Sequence, residues 1–398
     1  MHLLEVGVHW PPETFLRRKL EGLAAGGMRV TVAANAIRDA DAELAGVELI
    51  PPARAGSGLR DALALLVRSP RRLARLLLGV RRVPPGLARR HGGRRAILRM
   101  CLPLARLRPD VVQFEWNVAA VDHLPLFAVW DCPVVTSCRG SDLTVYPHVP
   151  ALAAYAAGLP EVLGRASAVH CVSESLVAEA ARHGLDIHKA RVIRPAVDPA
   201  AFQSAAGRAG GAFRVLMVSE LRWEKGYEYA LGAARELVDK GVPLALELLG
   251  GVPPAGSSER NRIAHTVADL GLERHVTLAG AVSPEEVGRR LARADVLLQS
   301  SLAEGIPNTV LEAMACGLPV VTSEAGSVTE AVSDGIEGFV VEPRSAPALA
   351  QALLRLWRDP ALRRRMGVAG RERVRSGFTL ERQLQDFLSL YGELTAAR

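Results

Sequence analysis

The chain has no run of roughly 18 consecutive apolar residues, the length a membrane-spanning helix requires. It also has no Cys-x-x-Cys pair: its five cysteines (Cys101, Cys132, Cys138, Cys171 and Cys316) are scattered and odd in number. That argues against a disulfide scaffold or a structural zinc site and fits a reducing compartment. The opening MHLLEVGVHWPPE has neither a basic start nor a long apolar core, so no secretory leader is expected. Aromatic residues make up 5% of the 398, and lysine occurs only at Lys19, Lys189, Lys225 and Lys240. At 49% hydrophobic and 23% charged, the composition sets aside disorder, collagen and coiled coil as global readings. A cytoplasmic protein of two or three domains is expected, at about 150 residues per domain.

What is present is arginine, and it is unevenly placed. Between Arg60 and Arg108 there are 14 arginines, no lysine and one acid, Asp61. The whole chain carries +7, so everything outside this segment is net acidic. Arginines interleave with leucines, as in DALALLVRSPRRLARLLLGV, the pattern of a basic amphipathic helix on a membrane surface. At about 1 kcal/mol per cation near an anionic inner leaflet, a few of them suffice for reversible peripheral attachment. A solvated helical face would give the same pattern. Nucleic acid is not expected as a partner, because the segment lacks aromatics and no reading motif accompanies it.

Elsewhere short apolar runs alternate with helical periodicities, the mark of a parallel α/β architecture. Strands are expected at Leu3–Val8, Arg29–Ala33, Val111–Phe114, Val134–Ser137 and Ala168–Val172, with a helix from near Glu13 to Gly26–Gly27. At Arg194–Gly211, RPAVDPAAFQSAAGRAGG, the rhythm breaks in a stretch suited to a hinge. It restarts with strands expected at Phe213–Val218, Leu244–Leu249, Val276–Ala279, Val296–Gln299, Pro319–Thr322 and Gly338–Val341. The expected division is residues 1–200, residues 212–378, and a terminal helix in 379–398 that packs back on the first domain. Two Rossmann-like domains facing across a cleft would hold a nucleotide-bearing ligand.

The sharpest signal is Ala294–Ser323, ADVLLQSSLAEGIPNTVLEAMACGLPVVTS. It reads as a strand ending at Gln299, a loop carrying Glu304 and Gly305, a helix over Asn308–Cys316 and a second strand. Asn308 suits the N-cap, Gly317 the C-terminal stop, and Pro319 ends any continuation. The helix N-terminus then lies at the carboxyl end of the sheet, where its unpaired amides attract phosphate. Glu304 precedes the helix, and Glu312 lies four residues beyond Asn308 on the same face, so the two acids are able to touch two parts of one elongated ligand. Taken singly, each acid also reads as a surface charge.

EGIPNTVLEAMACGLPVV, from Glu304 to Val321, resembles the retaining glycosyltransferase family four, whose pattern is E-G-x-P-N-x-x-x-E-A-M-A-x-G-x-P-V-V. Gly326–Pro343 and the interdomain VIRPAVDPAAF are similar to the same family. The resemblance implies the GT-B fold, two Rossmann-like domains with a cleft between them. It implies that Glu304 holds donor-sugar hydroxyls, while Gly305, Ile306, Pro307, Asn308 and Thr309 approach sugar or diphosphate with their backbone. It implies that Glu312 binds the ribose and that Lys225, in WEKGYEY, neutralises the diphosphate. No cofactor or metal is implied: the nucleotide-diphosphate sugar is the substrate. Asp39-Ala40-Asp41 matches the metal motif of the other major fold, but it is short, lies in an early loop and reads as coincidence.

The chain departs from the family pattern in three places. SELRWEKG puts Glu220 where the family has an arginine, with Arg222 two residues on as a replacement. CRGSDLTVYP puts Arg139 in place of the family's histidine and keeps Asp142. Arginine is no base near neutral pH, but it binds phosphate or carboxylate bidentately, and it also pairs structurally with an acid such as Asp142. HWPPETF replaces the usual glycine-rich turn and resembles an exopolysaccharide-synthesis branch; either Glu13 and Thr14 there face the cleft on the acceptor side, or Thr14 and Pro12 set the helix start.

The implied activity is retaining, metal-independent transfer of a sugar to a glycan or lipid-linked acceptor in cell-surface polysaccharide synthesis, with Glu304 and Lys225 as catalytic residues. A nucleotide-sugar epimerase or hydrolase, and a non-catalytic nucleotide-sugar-binding homologue, are the alternatives.

Overall fold

The computed structural model describes residues 1–39, 41–52, 57–202, 211–252 and 257–397. Their contacts divide the chain into two units, Met1–Arg194 with Leu384–Arg398, and Pro195–Gln383. Residues 203–210 of the expected hinge, and Ala40 of the Asp-x-Asp string, lie outside the described residues.

The first unit contains seven parallel strands: β1 (His2–Trp10), β2 (Arg29–Ile37), β3 (Val47–Ile50), β4 (Val111–Phe114), β5 (Val134–Cys138), β6 (Ala168–Cys171) and β7 (Ala190–Val192). Their order in the sheet is β3-β2-β1-β4-β5-β6-β7. The second contains six: β8 (Phe213–Val218), β9 (Leu244–Leu249), β10 (Val276–Gly280), β11 (Val296–Gln299), β12 (Val320–Ser323) and β13 (Gly338–Val341), ordered β10-β9-β8-β11-β12-β13. Each order reverses beside the unit's first strand, as in a Rossmann sheet. Central strands such as β4, β5 and β11 are buried along their whole length, which is why they open on apolar pairs and do not alternate with exposed polar residues. The edge strands β3 and β7 are half-exposed, do not open on such pairs, and were not expected from the sequence.

Helices of the first unit are α1 (Thr14–Ala25), α2 (Ser57–Arg68), α3 (Pro70–Arg82), α4 (Pro85–Arg90), α5 (Arg94–Ala105), α6 (Asn117–Asp122), α7 (Ser141–Thr144), α8 (Ala153–Arg165) and α9 (Glu174–Arg182). The second adds α10 (Tyr227–Asp239), α11 (Ser257–Asp269), α12 (Pro284–Leu291), α13 (Asn308–Cys316), α14 (Ala346–Arg358) and α15 (Pro360–Gly377). The terminal α16 (Leu380–Ala396) buries Phe387 and Tyr391 in the first unit, where Tyr391 donates to Gln113 at 3.2 Å.

The basic segment corrects its sequence reading, for it is four helices, α2 to α5, and not one. Proline has no amide hydrogen to donate and its ring clashes with the preceding turn, so Pro70 and Pro85 open new helices, and Gly92–Gly93, both at positive φ, separate α4 from α5. Several arginines bond to the protein itself: Arg72 donates to the Leu107 carbonyl at 2.9 Å, Arg94 to the Val83 carbonyl at 3.0 Å, and Arg106 pairs with Asp61.

Candidate functional site

In the second unit the chain leaves β8 for β9 and β10 on one side, while β11 adds to its other side. The loops leaving the carboxyl ends of β8 and β11 therefore lie next to each other, at the point where such sheets bind ligands. The first loop turns through Trp223–Lys225 and closes at Gly226, whose φ is 63°. A Cβ on Gly226 would collide with the Ser300 carbonyl, so glycine is what lets the loops touch. Ser300 Oγ donates to the Lys225 carbonyl at 3.0 Å, and the Leu302 amide donates to the Glu224 carbonyl at 2.7 Å.

Across this seam Lys225 Nζ donates to Glu304 Oε1 at 2.6 Å. The same oxygen accepts from Gln299 Nε2 at 2.9 Å and Ser301 Oγ at 2.8 Å. Three donors on one oxygen fix the carboxylate, and Oε2 takes no bond from the described residues. The side chains of Lys225 and Glu304 are only 16% and 13% exposed, so water screens the pair weakly. Gly326, at φ 59°, lies so close to the Glu304 carbonyl that no Cβ fits between them.

Helix α13 starts directly after this loop. The expected cap is corrected: Pro307 holds the N-cap position, no side chain caps the helix, and Asn308 is its first residue. Proline brings no amide to satisfy and a locked φ, here −67°, which suits it to this entry. Asn308 Oδ1 is consequently buried without a protein partner. The Asn308 and Thr309 amides have no intrahelical acceptors and sit at the positive end of the helix dipole, while the Val310 amide donates to the Pro307 carbonyl at 3.1 Å. Gly305, Ile306 and Pro307 are buried along the loop, and Thr309 and Glu312 are half-buried. The Cys316 thiol, one turn beyond Glu312, is pushed up to about 12, by burial first and by the Glu312 charge second.

Arg222 does not stand open for a phosphate. Its Nε donates to Glu220 at 2.8 Å, and a second nitrogen lies 3.8 Å from Glu224. The unusual Glu220 is thus balanced by Arg222, and Lys225 is the other cation of this loop.

The first unit has the same kind of reversal between β1 and β4, and a buried charge cluster surrounds it. Lys19 of α1 donates to Glu5 of β1 at 3.3 Å and to Glu115, just after β4, at 2.6 Å, with both acids fully buried. Burial pulls the Lys19 ammonium down to about 8, and Glu5 opposes that shift. Burial likewise pushes the Glu5 carboxyl up.

Arg139 follows β5, pairs with Glu115 and lies 4.3 Å over the Phe15 ring. Burial lowers its guanidinium to about 10, and its Nε has no partner. Asp142 does not pair with that guanidinium. It accepts from the Arg139 and Gly140 amides at 3.0 and 2.8 Å and from Asn117 at 2.7 Å, while burial raises its carboxyl. Glu13 occupies the position before α1 without a capping bond, one of its oxygens buried and unpartnered, and Thr14 is the first residue of the helix.

Gln299 and Ser301, which hold Glu304, and the trio Glu5, Lys19 and Glu115 were missed in the sequence. Their signal was misplacement: Lys19 falls on the buried stripe Leu16, Leu20 and Leu23 of α1, and Glu5 interrupts an apolar strand. Asp39 and Asp41 are exposed, and the Asp41 amide donates to Asp39 at 3.0 Å, a local turn contact.

Residues 12–201 match the family model Glycosyltransferase Family 4, and residues 201–373 match Glycosyl transferases group 1. The chain is 33% identical over 215 residues to the amylovoran biosynthesis glycosyltransferase AmsK of Erwinia amylovora, a match covering 52% of each chain. It is 28% identical over 285 residues to the D-inositol 3-phosphate glycosyltransferase of Pseudarthrobacter chlorophenolicus, over 68% of this chain and 67% of that one. The matched stretch thus spans from about half to two thirds of these curated relatives. Sucrose-phosphate synthase of Thermosynechococcus elongatus aligns over 100% of both chains with a TM-score of 0.80 at 22% identity. HepE of Anabaena, in complex with UDP and glucose, aligns over 98% of this chain and 99% of that one with a TM-score of 0.75 at 17% identity. These likenesses establish a common fold, and with both family models matched the chain belongs to the GT-B glycosyltransferases, a Glycosyltransferase Family 4 domain followed by a group 1 glycosyl transferase domain.

Proposed function

We propose that the protein moves a sugar from a nucleoside-diphosphate donor to a glycan or lipid-linked acceptor, with retention at the anomeric carbon and without a metal. The observation that carries this reading is the Lys225–Glu304 pair, held at the β8/β11 reversal directly before the amino end of α13. When the bond between the anomeric carbon and the diphosphate oxygen breaks, negative charge grows on that phosphate. Lys225 and the first-turn amides of α13 stabilise it by fixed electrostatics. Glu304, clamped through Oε1, offers Oε2 to sugar hydroxyls, and Glu312 takes the ribose. The departing phosphate oxygen accepts the proton of the acceptor hydroxyl, which bonds to the anomeric carbon on the face the phosphate leaves.

In the first unit Arg139 is held by Glu115 and Phe15, and with Asp142 it shapes the acceptor side, to which Glu13 and Thr14 also belong. The AmsK relative, named for amylovoran biosynthesis, supports an exopolysaccharide role, and HepE bound to UDP and glucose supports a nucleotide-sugar donor. A lipid-linked acceptor fits a protein held at the cytoplasmic face of an anionic membrane by Arg60–Arg108. No helix among the described residues is long and apolar enough to cross a membrane.

The test is incubation with a panel of UDP- and GDP-sugars, with and without bacterial lipid extract, following nucleoside diphosphate release. Acceptor-dependent release with a retained anomeric configuration is expected. Release that ignores acceptor would mark the hydrolase or epimerase reading, and binding without release a non-catalytic homologue.

A further inference from the structure

Six of the twelve large apolar side chains exposed among the described residues crowd into residues 59–78. Leu59, Leu63, Leu66 and Val67 recur at i, i+4, i+7 and i+8 along α2 and are 53–81% exposed, while Asp61 and Leu65 bury the opposite side. Leu77 and Leu78 extend the exposed set on α3, whose buried side is Leu76 and Val80. Single exposed leucines need no explanation, but a stripe on neighbouring helices does.

The exposed charges on α2 and α3 themselves are of one sign, with Asp131 and Glu161 as the acids beside them. Arg60, Arg68, Arg71, Arg81 and Arg82 are exposed, and no acid in α2 or α3 is exposed with them. Beside α3 lies a cavity of about 230 Å³ lined by Arg75, Leu78, Arg82 and, from α8, Glu161 and Arg165. Arg75, Leu78 and Arg82 are spaced i, i+3 and i+7, so this cavity and the exposed Leu78 share a helix face. Arg75 pairs with Asp131 at 2.7 Å and Arg165 with Glu161 at 2.9 Å. Arg82 has no ion pair among the described residues. The volume is below the 300–1,000 Å³ of ordinary small-molecule sites, which favours a headgroup over a whole nucleotide.

We propose that the α2–α3 face docks on an anionic bilayer, the six apolar side chains entering its interface while the Arg75–Arg82–Arg165 cavity takes one phospholipid phosphate. This rests on the membrane reading above and assigns it a surface. Positive charge alone would suit any polyanion, but the leucine stripe needs an apolar partner, and an anionic bilayer offers both over the whole face. Arg72, Arg94 and Arg106 of the same segment bond within the protein and hold the helices in place.

The test is co-sedimentation of the full chain with vesicles of phosphatidylcholine alone or mixed with phosphatidylglycerol, at about 0.1 M and about 1 M salt, where screening lengths are near 10 and 3 Å. At low salt the wild type is expected to bind the anionic vesicles at least about tenfold more tightly, a difference of 1.4 kcal/mol. A measurable fraction should persist at high salt, carried by the apolar stripe. Leu66→Glu/Val67→Glu should abolish that fraction, and Arg82→Gln/Arg165→Gln should cut anionic binding severalfold without changing binding to phosphatidylcholine. Melting temperatures within experimental error of wild type confirm folding, since all four side chains lie at the surface.

No vesicle binding by the wild type would overturn the membrane reading as a whole. Wild-type binding that both double variants retain would overturn this face alone. Tighter binding to heparin or single-stranded DNA than to anionic vesicles would make the segment a polyanion site and overturn the proposal. Donor release in the assay above does not depend on any of these outcomes.

Discussion

Lys19 and Lys225 are two of the chain's four lysines, and each meets a glutamate beside a reversal of strand order, one in each sheet. Lys19 is 2% exposed and lies between two fully buried acids, in a cluster that Arg139 completes. Lys225 is 16% exposed, meets one acid, and stands beside a helix whose first amides have no intrahelical acceptors. The same chemical pair thus does two jobs. In the first unit it ties α1 to the sheet, and in the second, on the function proposed above, it poises a cation and an anion for a ligand that brings charge of its own.

The largest expected effect separates the two on stability. Lys19→Met leaves Glu5 and Glu115 buried with less counter-charge and should cost about 3–5 kcal/mol in urea unfolding. Lys225→Met should cost less, about 1.5–3 kcal/mol, since its glutamate keeps two other donors. Equal losses would erase the contrast. Next, Lys225→Ala should lower transfer about 10²–10³-fold in a single-turnover assay, as loss of one preorganised donor to developing charge does; a loss below threefold would remove it from the machinery. Glu312→Ala should weaken nucleoside-diphosphate affinity about ten- to hundredfold by calorimetry, the worth of a charged hydrogen bond of 1.5–3 kcal/mol. Smallest is Arg222→Ala. Because Glu220 and Glu224 already occupy Arg222, affinity should change less than about threefold, well under 1.4 kcal/mol, and a larger loss would restore it to the phosphate clamp.

The second unit was the more legible in the sequence, for a physical reason. Its loops after β8 and β11 must approach each other and a ligand at once, and that requirement fixes residue types at set spacings, so EGIPNTVLEAMACGLPVV carries its function in local sequence. Four of its six strands end where expected, Phe213–Val218 and Val296–Gln299 among them. The Asn308 cap failed because two adjacent residues both suit a helix start, and proline needs no hydrogen bond there. The first unit's cluster joins Glu5, Lys19, Glu115 and Arg139 from four separate elements, so no window of sequence contains it. Only a lysine on an apolar stripe and a glutamate inside a strand hinted at it. The basic segment was legible in charge but not in shape, since its breaks lie at Pro70, Pro85 and Gly92–Gly93 while its composition runs through them unchanged.

Calorimetric titration of nucleoside diphosphates, with and without the sugar, into wild type, Lys225→Ala and Glu304→Gln tests the central pair most directly. Lys225→Ala should weaken both ligands, whereas Glu304→Gln should weaken only the sugar-bearing one, as the proposed assignment of Glu304 to the sugar and Lys225 to the phosphates requires. Equal and negligible changes for both variants, or a Glu304→Gln loss as large without the sugar as with it, would contradict the assignment.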